Sequence, residues 1–424
     1  MKSLDENYYN PFFSHIYVEE EIADHPRVKK ILARFENAEV VYIRHYKDIF
    51  CRRRQDYEEQ HHAQNLILAK KTGSLIYQGA PAPGFAGFQL LDLHDFPGQG
   101  SALVGVLDAF WEEKGYVSPE EYSTFCNQTV PLIRFPKMVW LNNETLNVPV
   151  EVAHFGEKSL QSANITWNIS DQSGKKLSEG GFIKDLPVTN CIPVGNIDYP
   201  LSGIDKPTQL TVSVEVKEAN NKNQWNIWVY PAKQEAVEKL PYIASTLDNQ
   251  AMERLNKGEN VLLLLQPGSI LAEKGGDIRV GFSSIFWNTA WTNKQPPHTL
   301  GILCDPKHPA LAAFPTERYS DFQWWDLVSN CNAMVLDDFP ADYRPIVHLI
   351  DDWFTNRKLG ILLEGKVSNG KLMVCSADLQ KDLNKRPAAR QFRQSILEYM
   401  ASDRFNPSTT LDPEKVRALY KKAQ

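Results

Sequence analysis

The spacing of apolar and polar positions divides the chain into three textures. Between Pro131 and Pro231 the period is two: PLIRFPKMVWL, LNVPVEVAHFG, SANITWNIS, DQSGKKLSEGGFIKDL, TQLTVSVEVKE and QWNIWVYP each alternate. Asn, Gly and Asp turns separate them, as at Asp171 to Gly174 and Asn220 to Asn223. Short alternating strands at this spacing predict an immunoglobulin-like β-sandwich over 131–231. From 232 to 424 the texture becomes continuous apolar runs alternating with helical spacing. Helices are expected over Gln234 to Leu240, Asp248 to Lys257 and Ala388 to Ser402. Buried strands are expected at Val261 to Leu265, Thr299 to Asp305, Asn332 to Phe339, Leu359 to Val367 and Gly370 to Leu379. That alternation predicts a C-terminal open α/β sheet domain.

Residues 1–130 mix both periods. An irregular acidic stretch to residue 25 precedes a helix from Pro26, a strand over Val40 to Tyr46 and a helix over Tyr57 to Lys71. A buried strand follows over Phe85 to Leu93, then a break at Pro97-Gly98-Gln99-Gly100 and helical spacing from Ala102 to Trp111. Strand–helix repeats of this kind read as βα units of an α/β sheet or barrel, and two of them cannot close a sheet alone. Ser118-Pro119-Glu120-Glu121 then caps a further short helix.

Polar chemistry gathers where the 85–93 strand ends. Asp92, His94 and Asp95 follow one another there, with Gln89 as the other polar residue of the strand. Carboxyl ends of strands are where α/β folds place their sites. The same residues fit a structural role, the aspartates capping the turn and next helix and His94 holding a hydrogen bond.

Charge and composition narrow the function classes. At 424 residues and 42% hydrophobic content the chain has material for about three domains, and a net charge of −6 argues against nucleic acid or anionic membrane as partner. Ten Trp give a mild lean toward sugar stacking, against a default of core packing for Trp167, Trp225 and Trp228. The aromatic-rich loops hold Trp287, Trp291, Trp324, Trp325 and Trp353. Six dispersed cysteines form no CxxC or Cys/His spacing, so neither a metal nor a disulfide framework is expected. Arg52 to Arg54 read as a solvated loop rather than an anion clamp, and adjacent His61 and His62 as surface residues, because neighbours on a helix point about 100° apart. No window approaches 18 apolar residues and the N-terminus lacks a signal-like apolar core. The N-x-S/T sequons at Asn127, Asn143, Asn164 and Asn168 are read as chance matches. With no GxSxG, GxGxxG or P-loop, acyl-transfer and nucleotide chemistry lose support. Cys304, beside Asp305 at a strand end, is the nearest thing to an elbow nucleophile.

Gly84 to Phe110, continuing through VSPEEYSTFCNQTVPLIRF, resembles the last barrel strand and helix of glycoside hydrolase family 2, in the β-galactosidase-like branch common in gut bacteria. GFQLLDLHDFPGQG is its most specific phrase. FQWWDLVSN, MVLDDFP, RPIVHLIDDWFTNRKLG and GKLMVCSADL are similar to the modules that follow the barrel, so the resemblance spans about residues 80 to 400. It implies that residues 1–130 hold the terminal βα units of a (β/α)8 barrel whose preceding units lie outside this chain, and a retaining β-glycosidase lineage, without cofactor, acting on plant or host glycans. Asp92 and His94, then Asp95 and Gln89, would line the sugar. A family often exported to the periplasm is implied, although this chain shows no signal peptide.

Retaining hydrolysis needs two carboxylates from different strands flanking one bond. In this family the acid/base Glu lies on a barrel strand with no counterpart here, and Tyr46 follows His45 where the nucleophile Glu is expected. Neither catalytic carboxylate is then present, and catalytic residues are unassigned. Two expectations follow. Either the chain supplies sugar-lining residues to a barrel completed by a missing segment, a partner chain or a second copy, or it is a non-catalytic glycan-binding or subunit-assembly protein.

Overall fold

The computed structural model describes residues 118–282, 293–340, 342–352, 355 and 357–420, and ahead of them two strands and the positions 26, 29, 93, 94, 107 and 111–113. The architecture is mostly β-sheet with few helices. Strand β1 (His15–Glu19) runs parallel to β2 (Glu39–Ile43), in register from His15 opposite Glu39 to Glu19 opposite Ile43. The acidic start expected to be irregular therefore holds a strand. Leu107, expected in a helix, is extended: it bridges His94 in parallel and Glu113 antiparallel, and its N–H bonds the Leu93 carbonyl. A barrel arc over 1–130 is not shown; Tyr46, Arg52 to Arg54, His61 and His62 lie outside the described residues.

Helix α1 (Pro119–Ser123) has the capping box its sequence announces, Ser118 Oγ accepting from the Glu121 N–H while the Glu121 carboxylate accepts from the Ser118 N–H. Two sheets then pack face to face. One is built from β3 (Thr129–Ile133), β5 (Thr145–His154) and β8 (Thr189–Pro200), in the order β3-β5-β8. The other has the order β4-β10-β9-β6-β7, from β4 (Val139–Leu141), β6 (Leu160–Asp171), β7 (Lys176–Leu186), β9 (Thr208–Val216) and β10 (Asn221–Tyr230). Alternation dictates the packing. Leu146, Val148 and Val150 turn inward while Thr145, Asn147 and Pro149 face water. Val148, Val150, Val152, Ile165, Ile169, Val212, Val214 and Ile227 make the core between the sheets. The β6–β7 turn closes on Asp171, whose Oδ1 accepts from Ser173 and Lys175, with Gly174 in the left-handed region at φ 80°.

Beyond Pro231 a seven-stranded sheet forms in the order β11-β12-β17-β16-β15-β13, with β14 also paired to β16. Its strands are β11 (Tyr242–Ala244), β12 (Asn260–Leu264), β13 (Thr299–Cys304), β14 (Met334–Val335), β15 (Val347–Asp351), β16 (Leu359–Val367) and β17 (Gly370–Cys375). Pairing is parallel from β11 through β17 and antiparallel from β17 to β13, so the sheet is mixed. Both faces are covered. Val261, Leu263, Leu372 and Val374 pack with α2 (Asn249–Asn256) and α5 (Pro413–Arg417); Leu262, Leu264, Ile361 and Met373 pack with α3 (Trp324–Ser329) and α4 (Pro387–Ala401).

Three expectations change here. Gln234 to Leu240 is not helical. It lies as an irregular strap on α4, Gln234 Nε2 donating to the Arg390 carbonyl at 3.0 Å and Gln394 Nε2 to the Glu235 carbonyl at 2.9 Å. The strand expected over Asn332 to Phe339 shrinks to Met334–Val335. FQWWDL, expected in a loop, supplies most of α3.

The sandwich and the seven-stranded sheet share a core. Trp228 and Tyr230, on the outer face of β10, belong to the apolar cluster of α3 and α4. The Trp228 indole N–H donates to the Pro315 carbonyl at 2.9 Å, and the Tyr230 hydroxyl donates to Gln323 Oε1. Among the described residues no helix is long and apolar enough to cross a membrane.

Candidate functional site

Of the four residues singled out by sequence, Gln89, Asp92 and Asp95 lie outside the described residues. His94 is described and half-buried; its imidazole meets the Trp111 indole, centroids 4.5 Å apart at 50°, and Trp111 is 60% exposed. Among the aromatic loops, Trp287, Trp291 and Trp353 are outside the described residues. Trp324 is fully buried against Phe314 and Phe392, whereas Trp325 is 64% exposed.

Trp325 stands in a built setting. The turn into α3 is organised by Asp321, whose Oδ1 accepts from the Gln323 N–H at 3.2 Å and whose Oδ2 accepts from Thr316 Oγ1 at 3.0 Å and the Glu317 N–H at 3.2 Å. With Trp324 turned into the core, Phe322 and Trp325, three apart, both face solvent. The Phe282 ring stacks on Trp325, centroids 5.8 Å apart and planes within 23°. Phe282 is fixed from below: the Gly281 N–H donates to Thr299 Oγ1 at 2.9 Å, and Thr299 Oγ1 donates to the Gly281 carbonyl at 2.8 Å. A Cβ on Gly281 would lie 2.6 Å from Pro297 Cβ, so this approach requires glycine.

Thr299 pairs with Asp351 at the carboxyl end of β15, which places the aromatic group at the carboxyl edge of the sheet. Two carboxylates close that strand. Asp351 is buried and accepts from Arg357 Nε at 2.8 Å, Nη2 at 3.1 Å and N–H at 2.8 Å. Burial raises its pKa, opposed by the guanidinium. Asp352 is also buried, its Oδ1 accepting from the Thr355 N–H at 3.0 Å. On the α3 side, Arg386 Nε bonds both oxygens of Asp326 at 2.8 and 3.1 Å, and its Nη1 donates to the Asp378 carbonyl at 2.8 Å. That fork ties α3 to the start of α4 and holds the residue next to Trp325 in place.

Among the described residues this arrangement offers an apolar ring face rather than a pair of carboxylates facing each other across a gap. Asp351 is committed to Arg357, and both aspartates come from one strand end, so they do not flank a bond as a glycosidase pair does. Burial raises the thiol pKa of Cys304, and that of Cys375 to about 12, which leaves both protonated and unreactive near neutrality. Among the described residues no group of three or more His, Cys, Asp and Glu could hold a metal ion. Phe282 and Phe322 were not singled out by sequence. The i, i+3 spacing of Phe322 and Trp325 was the available signal once FQWWDL is read as a helix.

Two family models match, both described as domains of unknown function: DUF8488 over residues 144–231 and DUF8487 over residues 242–421. A comparison with curated proteins finds no match. Among solved structures, a Salmonella α-2-macroglobulin mutant aligns at 13% identity and TM-score 0.22 over 28% of this chain and 8% of its own. A Parabacteroides merdae β-glucuronidase aligns at 12% identity and TM-score 0.19 over 33% of this chain and 22% of its own. A putative β-galactosidase from Bacteroides fragilis aligns at 7% identity and TM-score 0.18 over 33% and 25%. The chain thus spans a quarter or less of each of these structures, and scores this low settle neither fold nor activity.

Proposed function

We propose that this chain is the non-catalytic, glycan-binding part of a carbohydrate-active protein of β-galactosidase-like lineage. The observation that carries the reading is the aromatic group of exposed Trp325 and Phe322 with half-buried Phe282, whose ring stacks on Trp325 with planes within 23°. Pyranose rings present C–H faces that pack on such surfaces, and Trp325, seated on α3, loses little freedom on binding. The family resemblance of GFQLLDLHDFPGQG supports the lineage, and Tyr46 in place of a carboxylate supports the absence of catalysis. The test is affinity electrophoresis of the full chain through a panel of plant and host polysaccharides. Retardation by at least one of them, reduced about tenfold in apparent affinity by Trp325→Ala without a change in melting temperature, is expected. Equal migration of the variant and the unmodified chain in every gel overturns the platform.

A second reading rests on the contact of His94 with the exposed Trp111. In it, His94, Asp92, Asp95 and Gln89 line a sugar in a barrel completed by another chain or a missing segment. Turnover of aryl β-glycosides that disappears in Asp92→Ala would establish this reading and exclude the non-catalytic one; the expected result is no turnover.

A further inference from the structure

A cluster at the opposite edge of the seven-stranded sheet takes no part in the aromatic platform. Strands β13 and β16 both run antiparallel to β15, so their carboxyl ends meet at the edge away from Thr299 and Asp351. There His308, in the loop that leaves β13, meets Glu364 of β16 and Tyr399 of α4. Glu364 is held from two sides. The Tyr343 hydroxyl donates to its carbonyl at 2.8 Å and accepts from its N–H at 3.1 Å, and the Tyr399 hydroxyl donates to its Oε2 at 2.9 Å. Burial, and after it the Glu364 carboxylate, push the Tyr399 phenol well above its ordinary range, so it stays a donor.

His308 itself is divided between two partners. Its Nδ1 accepts from the Ala310 N–H at 3.2 Å and so caps the 3-10 turn Pro309–Leu311. A ring nitrogen that accepts carries no proton, so the neutral imidazole bears its proton on Nε2. That nitrogen lies 3.8 Å from Glu364 Oε1, too far for a hydrogen bond. Adding a proton reverses both relations. A charged imidazole is a donor at both nitrogens, so it no longer accepts from Ala310, while its attraction to the carboxylate grows. Solvent reaches the pair, since 25% of the His308 side chain and 17% of that of Glu364 are exposed. The other charged groups around it are committed or turned to water. Asp305 Oδ1 accepts from the Lys307 N–H at 2.9 Å and Lys371 Nζ donates to the Phe405 carbonyl at 2.6 Å, while Lys307, Lys366, Asp403 and Arg404 are exposed.

We propose that His308 is a pH-operated switch, which caps the Pro309–Leu311 turn when neutral and, when charged, releases Ala310 and closes on Glu364. What the turn holds gives the switch its reach. Ala310 and Leu311 belong to the apolar cluster of α3 and α4. The Ala310 carbonyl accepts from Ser395 Oγ at 2.7 Å, Ser395 Oγ accepts from the Ala313 N–H at 3.1 Å, and Gln391 Nε2 donates to the Ala313 carbonyl at 2.8 Å. Just beyond, the Pro315 carbonyl takes the Trp228 indole N–H. Acid therefore loosens the segment that runs from the cap to the core shared with the sandwich, and neutral pH fastens it.

Hydrogen–deuterium exchange of the full chain tests the switch, read by mass spectrometry on peptides covering residues 306–314 and corrected for the intrinsic effect of pH on exchange. From pH 8 to pH 5, the range in which histidine side chains ordinarily change charge, protection of this segment is expected to fall about fivefold, the equivalent of one hydrogen bond. A peptide from β9 should keep its protection. His308→Gln, whose amide can cap the turn but takes up no proton, should be equally protected at both pH values. Glu364→Gln removes the negative partner while leaving an oxygen for Tyr399, and should respond to acid less than the unmodified chain. Equal protection of the unmodified chain at the two pH values overturns the proposal. So does a fall of the same size in His308→Gln, which would assign the response to another group such as Asp321. An undiminished response in Glu364→Gln overturns Glu364 as the second partner.

Discussion

The two large sheets of this protein solve burial in opposite ways. The seven-stranded sheet is covered on both faces, so its contact with ligands is confined to strand ends and to the outer side of its helices. The five-stranded sheet buries one face against the other half of the sandwich and carries polar side chains on the second face over β6 and β9. Recognition by the first must use loops and caps, such as the turn that presents Trp325. In the second the pleat itself sets side chains at fixed intervals.

The comparison is sharpest where the two meet. Trp228→Ala should cost about 3 to 5 kcal/mol, since it empties a filled site in the shared core and removes the bond to Pro315. Urea denaturation followed by far-UV and near-UV signals should then separate into two transitions. One coincident transition in the variant would mean that the sheets are coupled by other contacts.

A smaller loss is expected inside the sandwich. Gly180 faces the Trp167 indole so closely that a Cβ would fall 2.6 Å from its Cζ2. Gly180→Ala should therefore cost about 1 to 3 kcal/mol by overpacking, read as a lower urea midpoint with an unchanged slope.

The junction should also respond to pH. Desolvation pushes the Asp321 carboxyl up to about 7 from its ordinary 3.8, against the donors of Gln323, Glu317 and Thr316. Between those values the folded state binds a proton that the unfolded state lacks. The stabilisation is complete below pH 3.8 and is lost as pH rises through about 7. The melting temperature should fall by a few degrees from pH 5 to 8, and Asp321→Asn should flatten that slope. An equal slope in the variant would assign the dependence to other groups.

At the polar face the effect on folding should be smallest. Thr166→Val, on the outward side of β6, is expected within about 0.5 kcal/mol of the unmodified chain, as for surface sites generally. Leu262→Thr, the reverse kind of exchange on the covered sheet, should cost several times more in the same urea titration.

Much of the middle of the chain was legible because period two is a direct consequence of the pleat. The run Asn164, Thr166, Asn168, Ser170, which reads as two glycosylation sequons, is the outward register of β6. The helices of the covered sheet were harder to place. Gln234 to Leu240 has helical spacing, but its backbone and side chains bond α4 instead, a tertiary choice that no local pattern announces. VHLID of β15 is not among the strands expected from sequence, yet pairing with Thr299 of β13 and Leu359 of β16 makes it an interior strand. Trp324 and Trp325 look alike in sequence; only the turn set by Asp321 decides which of them is core.

Trp228 and Tyr230 grow from the last strand of one unit and finish the interior of the next. A gene cut between residues 231 and 242, at the boundary the two matching family models suggest, would leave an indole and a phenol in water on one product and a hole in the other. Neither half could then be recombined freely onto foreign partners. The pair is expected to be inherited together, and a junction engineered for domain swapping belongs before Thr129 rather than after Tyr230.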